Sequence, residues 1–124
     1  MVDGKTIVSE EVFGDIARAA MLKVEEIIRQ ERKGSIADLG RLFTGRFSSK
    51  VTVKKSDSED QANPGAVSFE LKLTVVYGVN IPEVANKVRE AVAEDVSAIT
   101  GYDVERVDIG VEKLVRPEEL PQEE

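Results

Sequence analysis

Paired carboxylates are the side chains of this 124-residue sequence whose type and spacing offer acid–base or metal chemistry. The groups are Glu10/Glu11, Glu25/Glu26, Asp57/Glu59/Asp60, Glu94/Asp95 and Glu118/Glu119. A general acid or base needs a pKa shifted by an apolar cleft, and a calcium loop needs a fixed ligand spacing. These groups fall instead on polar helix faces, in a turn-rich loop or in the tail, and none has calcium-loop spacing. We therefore predict no catalytic and no metal-binding residues.

The sequence contains no histidine and no cysteine. Their absence removes thiol nucleophiles, disulfides, zinc-ligand sets, the serine–histidine triad and imidazole acid–base catalysis. Most familiar enzyme mechanisms are thereby excluded. We predict a protein that is not an enzyme and that has no cofactor-binding residues.

Residues 40–47, GRLFTGRF, have the glycine spacing of a phosphate-binding loop. That motif requires a lysine and then a hydroxyl residue after its second glycine, but Arg46 and Phe47 occupy those positions here. The motif also follows a buried strand, whereas a helix and a basic connection precede this segment. We conclude that it is not a nucleotide site.

Basic residues are concentrated at positions 29–55, which carry a local charge of +6 in a chain of net charge −7. The candidate interaction surface within this basic segment consists of Arg41, Arg46, Lys50, Lys54 and Lys55. One interpretation is a surface for phosphates, acidic protein tails or nucleic acid. The other is a solvated loop that balances the acidic remainder, for example by self-association. Because no RNA-binding aromatic pair, GXXG clamp or recognition helix accompanies the charge, nucleic acid is the less favoured partner.

Length and composition indicate one globular domain, with 41% hydrophobic and 33% charged residues. We assign this domain to residues 1–114 and expect an acidic, disordered tail at 115–124. The N-terminus lacks the features of a secretory signal, and no apolar run approaches the ~20 residues that cross a bilayer. We expect a cytoplasmic protein without direct membrane insertion, which reaches a membrane only through a partner.

Apolar residues at three- and four-residue steps predict two long helices. The first begins after Ser9 as the N-cap and ends at Gly34, and a short further helical segment is predicted at 36–43. The second begins after Asn80, the start of a capping-box pattern, and ends at Gly101. Its predicted core stripe comprises Ile81, Val84, Ala85, Val88, Ala91, Val92, Val96 and Ile99.

Alternating apolar residues predict the strands. One strand contains Val51 and Val53, the next runs over residues 67–77, and the last covers 102–111, while Ile7 and Val8 form a β-like stub. The parity of the last strand changes near Glu105, which predicts a bulge there. Tyr77 continues the inward-facing alternation of the second strand, so we interpret it as a core residue.

These elements, in the order (β)αββαβ, predict an α+β two-layer sandwich. Two long helices lie on one face of a small sheet of three to four strands, mainly antiparallel, and a split βαβ arrangement is one form of it. Such a sheet leaves edge strands that pair with another chain unless they are blunted. Lysines flank the first strand of the hairpin, so the better candidate is the last strand, with Val107, Ile109 and Val111.

Residues 77–114, YGVNIPEVANKVREAVAEDVSAITGYDVERVDIGVEKL, resemble the signature half of the alkaline shock protein family. Residues 6–20, TIVSEEVFGDIARAA, resemble the opening of the same family, and residues 67–76 resemble its central strand. The signature residues, which we interpret as structural, are Tyr77, Gly78, Asn80, Ile81, Pro82 and Gly101.

This resemblance implies a protein without catalytic residues, linked to envelope homeostasis in Gram-positive bacteria under alkaline or cell-wall stress. It also implies a protein partner, such as a membrane-anchor protein or a regulated enzyme of fatty-acid synthesis. We expect the chain to act by self-association as a homo-oligomer or by docking on such a partner. The alternative is an anion- or nucleic-acid-binding module that uses the basic segment 29–55.

Overall fold

Two helices and three strands follow one another along the part of the chain that the computed structural model describes, which is residues 2–31, 50–59 and 63–116. In chain order they are α1 (Glu10–Glu31), β1 (Lys50–Asp57), β2 (Gly65–Val76), α2 (Ile81–Thr100) and β3 (Asp103–Val115). The predicted α+β class is confirmed.

The start of α1 has a local cause in the sequence. The hydroxyl of Ser9 accepts a hydrogen bond from the backbone N–H of Val12 at 3.4 Å, so Ser9 is the predicted N-cap. The predicted stub at Ile7 and Val8 is wrong, because residues 2–9 form no strand. Gly34, the predicted end of this helix, and the predicted helical segment at 36–43 lie outside the described residues.

Both ends of α2 form as the sequence predicts. The side chain of Asn80 accepts a hydrogen bond from the backbone N–H of Glu83 at 2.9 Å, and Pro82 lies in the first turn, where it costs no intrahelical bond. At the other end, Gly101 has a φ of 79° and donates its N–H to Ser97. This left-handed conformation is the one that glycine adopts without steric penalty.

The sheet has the strand order β1-β2-β3, with β2 in the centre. The pair β1 and β2 is antiparallel, as predicted, but β2 and β3 run parallel. The prediction of a mainly antiparallel sheet of three to four strands is therefore corrected to a mixed sheet, with three strands in the described residues. Because β2 and β3 are direct neighbours, the unit β2-α2-β3 is an unsplit βαβ unit.

The length of α2 explains the parallel pairing. A helix of 20 residues spans about 30 Å, enough to carry the chain from the end of β2 back to the level of its start. The next strand then runs in the direction of β2. The order of strand, long helix and strand therefore predicts parallel pairing. The alternation of apolar residues within a strand does not indicate the direction in which it runs relative to its neighbour.

Two irregularities interrupt the ladder between β2 and β3. One register shift lies between Val67 and Ser68, opposite Glu105, where the parity of β3 predicts a bulge. The second lies between Leu73 and Thr74, opposite Glu112. Between them, residues 106–111 of β3 pair with β2 in regular register.

The core lies between the helices and one face of the sheet. The alternate residues of β2 are fully buried, while α1 and α2 contribute their apolar stripes. The buried hydrophobic residues are Phe13, Ala17, Ala20, Met21, Val24, Ile28, Val67, Phe69, Leu71, Leu73, Val75, Val84, Val88, Ala91, Val92, Val96, Tyr102 and Val107. The ends of the predicted α2 stripe, Ile81 and Ile99, are exposed.

Gly65, at the start of β2, is fixed by both its conformation and its surroundings. Its φ is 147°, and a Cβ atom placed there would lie 2.1 Å from the carbonyl oxygen of Ser56. We expect Gly65→Ala to lower the free energy of unfolding by about 2 kcal/mol or more, because the β1–β2 junction must shift. Urea denaturation of dilute protein measures the change.

Gly110→Ala is the matched control, since Gly110 also lies in a strand but has no positive φ, and the position that its Cβ would occupy has no neighbouring atom within 4 Å. It should change the free energy of unfolding by no more than about 0.5 kcal/mol. Equal effects of the two substitutions would contradict the account of the β1–β2 junction.

Candidate interaction site

The open edge of β3 is the longer of the two edges of the sheet. β3 has 13 residues against eight in β1, and only β2 pairs with it in the described part of the chain. Its inward side chains are Val104, Val107, Ile109 and Val111, of which Val107 is buried and the others are half-buried. These apolar side chains are therefore covered by the helices on one side only.

Charged side chains of both signs alternate with the apolar residues of β3. Arg106 and Asp108 form an exposed ion pair at 2.8 Å. A carboxylate oxygen of Glu112 lies 3.4 Å from Nζ of Lys72 in β2. The edge thus presents a mixed pattern of charge, whereas the exposed alternate positions of β1 hold Lys50 and Lys54 with no acidic residue among them.

Arg89 of α2 reaches the backbone of β3. Its Nε donates a hydrogen bond to the carbonyl oxygen of Val107 at 3.1 Å, and a second guanidinium nitrogen donates to Asn86 at 2.9 Å. Arg89 is exposed. An exposed side chain reaches this carbonyl from the open side of β3, so the main-chain oxygen of Val107 faces away from β2.

The lysines of the predicted interaction surface divide into two kinds. Lys50 and Lys54 are exposed on β1, but Lys55 is half-buried and its Nζ lies 2.9 Å from a carboxylate oxygen of Asp57. The hydrogen bond to Asp57 raises the pKa of Lys55 above its ordinary value of 10.5. Lys55 therefore has a structural partner within the chain. Arg41 and Arg46 lie outside the described residues.

The sequence pattern predicts Tyr102 only as the first residue of the last strand, but the structure gives it a larger role. It is fully buried, and its ring packs edge-on against Phe13 with centroids 4.9 Å apart. Its hydroxyl donates to Asp57 at 2.5 Å and accepts from the backbone N–H of Val8 at 3.4 Å. The signal that could have found it is its position directly after the helix-ending Gly101, where a buried aromatic residue needs a polar partner for its hydroxyl.

The pKa values in this cluster follow from these contacts. Burial, followed by the hydrogen bond to Asp57, raises the pKa of Tyr102 above 10.0. The hydrogen bonds from Tyr102 and then from Lys55 lower the pKa of Asp57 below 3.8. At neutral pH the cluster therefore holds a neutral phenol, a carboxylate and an ammonium group. These charge states favour the hydrogen bonds that hold the end of β1 against Tyr102.

The family signature at residues 77–82 has mixed roles. Gly78 adopts a φ of 108° in the turn after β2, and Asn80 and Pro82 begin α2. The interpretation of Tyr77 as a core residue is wrong, because it lies in that turn and is 58% exposed. Ile81 is 39% exposed. The other signature positions shape the backbone, whereas these two side chains face solvent at the end of the sheet.

The carboxylate pairs are dispersed over the described residues. Glu10 and Glu11 lie in the first turn of α1, and Asp95 pairs with Lys23 at 2.8 Å across the two helices. Within residues 2–31, 50–59 and 63–116, no group of three acidic side chains is arranged to hold a metal ion. Asp60 and the pair Glu118/Glu119 lie outside those ranges.

The arrangement of two helices on a mixed sheet with an open edge places this protein in the class of two-layer α+β proteins. A family model matches residues 1–116, and the chain belongs to that family, the alkaline shock protein 23 family, described as having a cell envelope-related function. The predicted family is thus confirmed. No solved structure matches the chain. In the described segments, neither helix is long and apolar enough to span a membrane.

Tyr102→Phe tests the buried cluster, because it removes the hydroxyl and leaves the ring. We expect it to lower the free energy of unfolding by about 1 kcal/mol at pH 7, the effect of losing a partly buried hydrogen bond. Tyr77→Phe, at the exposed tyrosine, should change it by less than about 0.5 kcal/mol. Urea denaturation of both variants provides the comparison.

The same variant has a predicted pH dependence. The pKa of Asp57 is lower in the folded protein than its ordinary value of 3.8, so the ionised carboxylate stabilises the fold above pH 3.8. This stabilisation is lost as the pH falls through the pKa that Asp57 has in the folded protein. Tyr102→Phe removes the largest cause of that shift, so the difference between wild type and variant should shrink in acid. A difference that stays constant between about pH 7 and about pH 3 would contradict this assignment.

Proposed function

We propose that this protein is a non-enzymatic assembly module of the cell envelope, which acts on the cytoplasmic side by pairing through the open edge of β3. Membership of a family with a cell envelope-related function supports the cellular setting. Self-association is one form of this activity. Docking on a partner, such as a membrane-anchor protein or a regulated enzyme, is the other.

The observation that carries the proposal is the open edge of β3. A strand of 13 residues is about twice the usual length, and its outer main-chain groups offer a ladder to another strand. Its inward side chains Ile109 and Val111 are half-buried, so an added strand with its own apolar face would cover them further. Strand addition at such an edge is a common mode of protein recognition.

The alternative, anion binding by the basic segment 29–55, has weaker support among the described residues. Only Lys50, Lys54 and Lys55 of that segment's candidate surface are described, and Lys55 is engaged with Asp57. Two exposed lysines on one strand make a small electrostatic footprint. Retention on RNA or DNA at low ionic strength, lost steeply as salt rises, would be required to favour this function.

Static light scattering over a range of protein concentrations tests the proposal. We expect the native molar mass to rise with concentration and the rise to persist at high salt, because main-chain and apolar contacts are weakly screened. Assembly that disappears at high salt would point instead to the basic segment meeting the acidic remainder of another copy. A monomer at every concentration would overturn self-association as the mode of action.

A further inference from the structure

About Ile109, the apolar residues Val107 and Val111 of β3 are placed symmetrically, while the charged residues at equal distances have opposite signs. Reading outward from Ile109, Val107 corresponds to Val111, and Arg106 corresponds to Glu112. We infer that β3 pairs antiparallel with β3 of a second copy, with the twofold axis at Ile109. This inference rests on the proposed function and specifies its partner and register.

The main-chain geometry allows this centre. Along a regular strand, the N–H and C=O groups of alternate residues point to the same side. The contact of Arg89 shows that the carbonyl of Val107 faces the open side, and residues 106–111 are regular. The main-chain groups of Val107, Ile109 and Val111 therefore face outward together. An antiparallel pair centred on Ile109 places them opposite one another as hydrogen-bonded pairs.

Arg89 does not prevent this pairing. A carbonyl oxygen has two lone pairs and can accept two hydrogen bonds. The carbonyl of Val107 accepts one from Arg89, which leaves one lone pair for a second strand. The space beside the edge is also open. Shallow grooves of about 720 Å³ and 400 Å³ run between the outer flank of α2 and β3, and Ala93 and Val104 line both of them. Arg89 and Glu94 of α2 also line these grooves, so a second strand would share the space beside β3 with their side chains.

The side chains are complementary in this register. On the outer face, Arg106 of each copy comes near Glu112 of the other, which is the extra residue at the second register shift and follows directly on the regular stretch 106–111. Val107 lies opposite Val111 on the inner face, which extends the apolar layer across the axis. Opposite charges and apolar side chains that face each other across strands stabilise an antiparallel ladder. The twofold axis repeats every such pair, so each contributes twice.

Neighbouring registers are less favourable. A centre at Val111 keeps the same main-chain groups outward but places Arg106 opposite Arg116, two like charges. A centre at Val107 places Arg106 opposite Asp108, which is also a pair of opposite charges, but its next pair needs Glu105, the extra residue at the first register shift. The centre at Ile109 keeps the apolar pair of Val107 and Val111, and every residue between them, within the regular stretch 106–111.

The other edge of the sheet lacks this complementarity. The exposed positions of β1 are Lys50, Thr52, Lys54, Ser56 and Asp57. A copy of β1 paired antiparallel about Thr52 would place Lys50 opposite Lys54, which is repulsive. In this register, like charges disfavour the pairing of β1 with its own copy.

Two single charge reversals and their mixture test the register. Arg106→Glu places two acidic residues opposite each other in its homodimer, and Glu112→Arg places two arginines there. Each should weaken homodimerisation about tenfold or more. In a mixed dimer, every one of these positions again faces an opposite charge. We expect native mass spectrometry of the mixture to show predominantly the mixed dimer.

Lys54→Glu and Glu90→Arg form the matched control pair, because they make the same changes of net charge at exposed positions away from β3. These variants should dimerise like the wild type and, when mixed, should show no preference for the mixed dimer. A control pair that behaves like the β3 pair would overturn the register.

The possible failures are distinguishable. If the wild type assembles but reversals at Arg106 and Glu112 leave the dissociation constant unchanged, the register centred on Ile109 is wrong while self-association stands. If Lys54→Glu alone abolishes assembly, pairing occurs through β1 and the inference is overturned. If the wild type is monomeric at every concentration, both the inference and self-association as the mode of action fail.

Discussion

The burial of Tyr102 is the constraint on which the rest of the structure depends. Its ring packs on Phe13 of α1, and its hydroxyl joins the end of β1 to the segment before α1 through Asp57 and Val8. It also lies directly between Gly101, which ends α2, and the first residue of β3. One side chain therefore connects both helices with β1 and β3, and it fixes where β3 enters the sheet beside β2.

That entry point determines which residues of β3 face outward. Because β3 begins at the same end as β2, the two strands run parallel, and β3 becomes an edge with only one neighbour among the described strands. The bulge at Glu105 then sets the parity that turns Val107, Ile109 and Val111 toward the core. With this alternation, the main-chain N–H and C=O groups of the same three residues point toward the open side of β3. The hydrogen bond from Arg89 to the carbonyl oxygen of Val107 identifies that side. A buried tyrosine at one end of the sheet thus positions the surface that we propose for assembly.

Much of this architecture follows from local sequence signals. Ser9, Asn80 and Gly101 define helix ends through short-range hydrogen bonds and backbone preference, so they predict those ends well. The bulge near Glu105 follows from a change of parity within one strand. The direction of β3 relative to β2 depends on the path of α2 across the sheet, and alternation alone contains no information about it. Tyr102 and Asp57 are 45 residues apart, so their contact is likewise invisible to local patterns.

Amide hydrogen exchange of β3 at low and high protein concentration observes the main chain of the open edge itself. If β3 pairs with a second copy, the N–H groups of Val107, Ile109 and Val111 become more protected as the concentration rises. The outward N–H groups of β1 should be unchanged in the same samples. Equal exchange of the β3 amides at both concentrations, or concentration-dependent protection of β1 instead, would contradict pairing through β3.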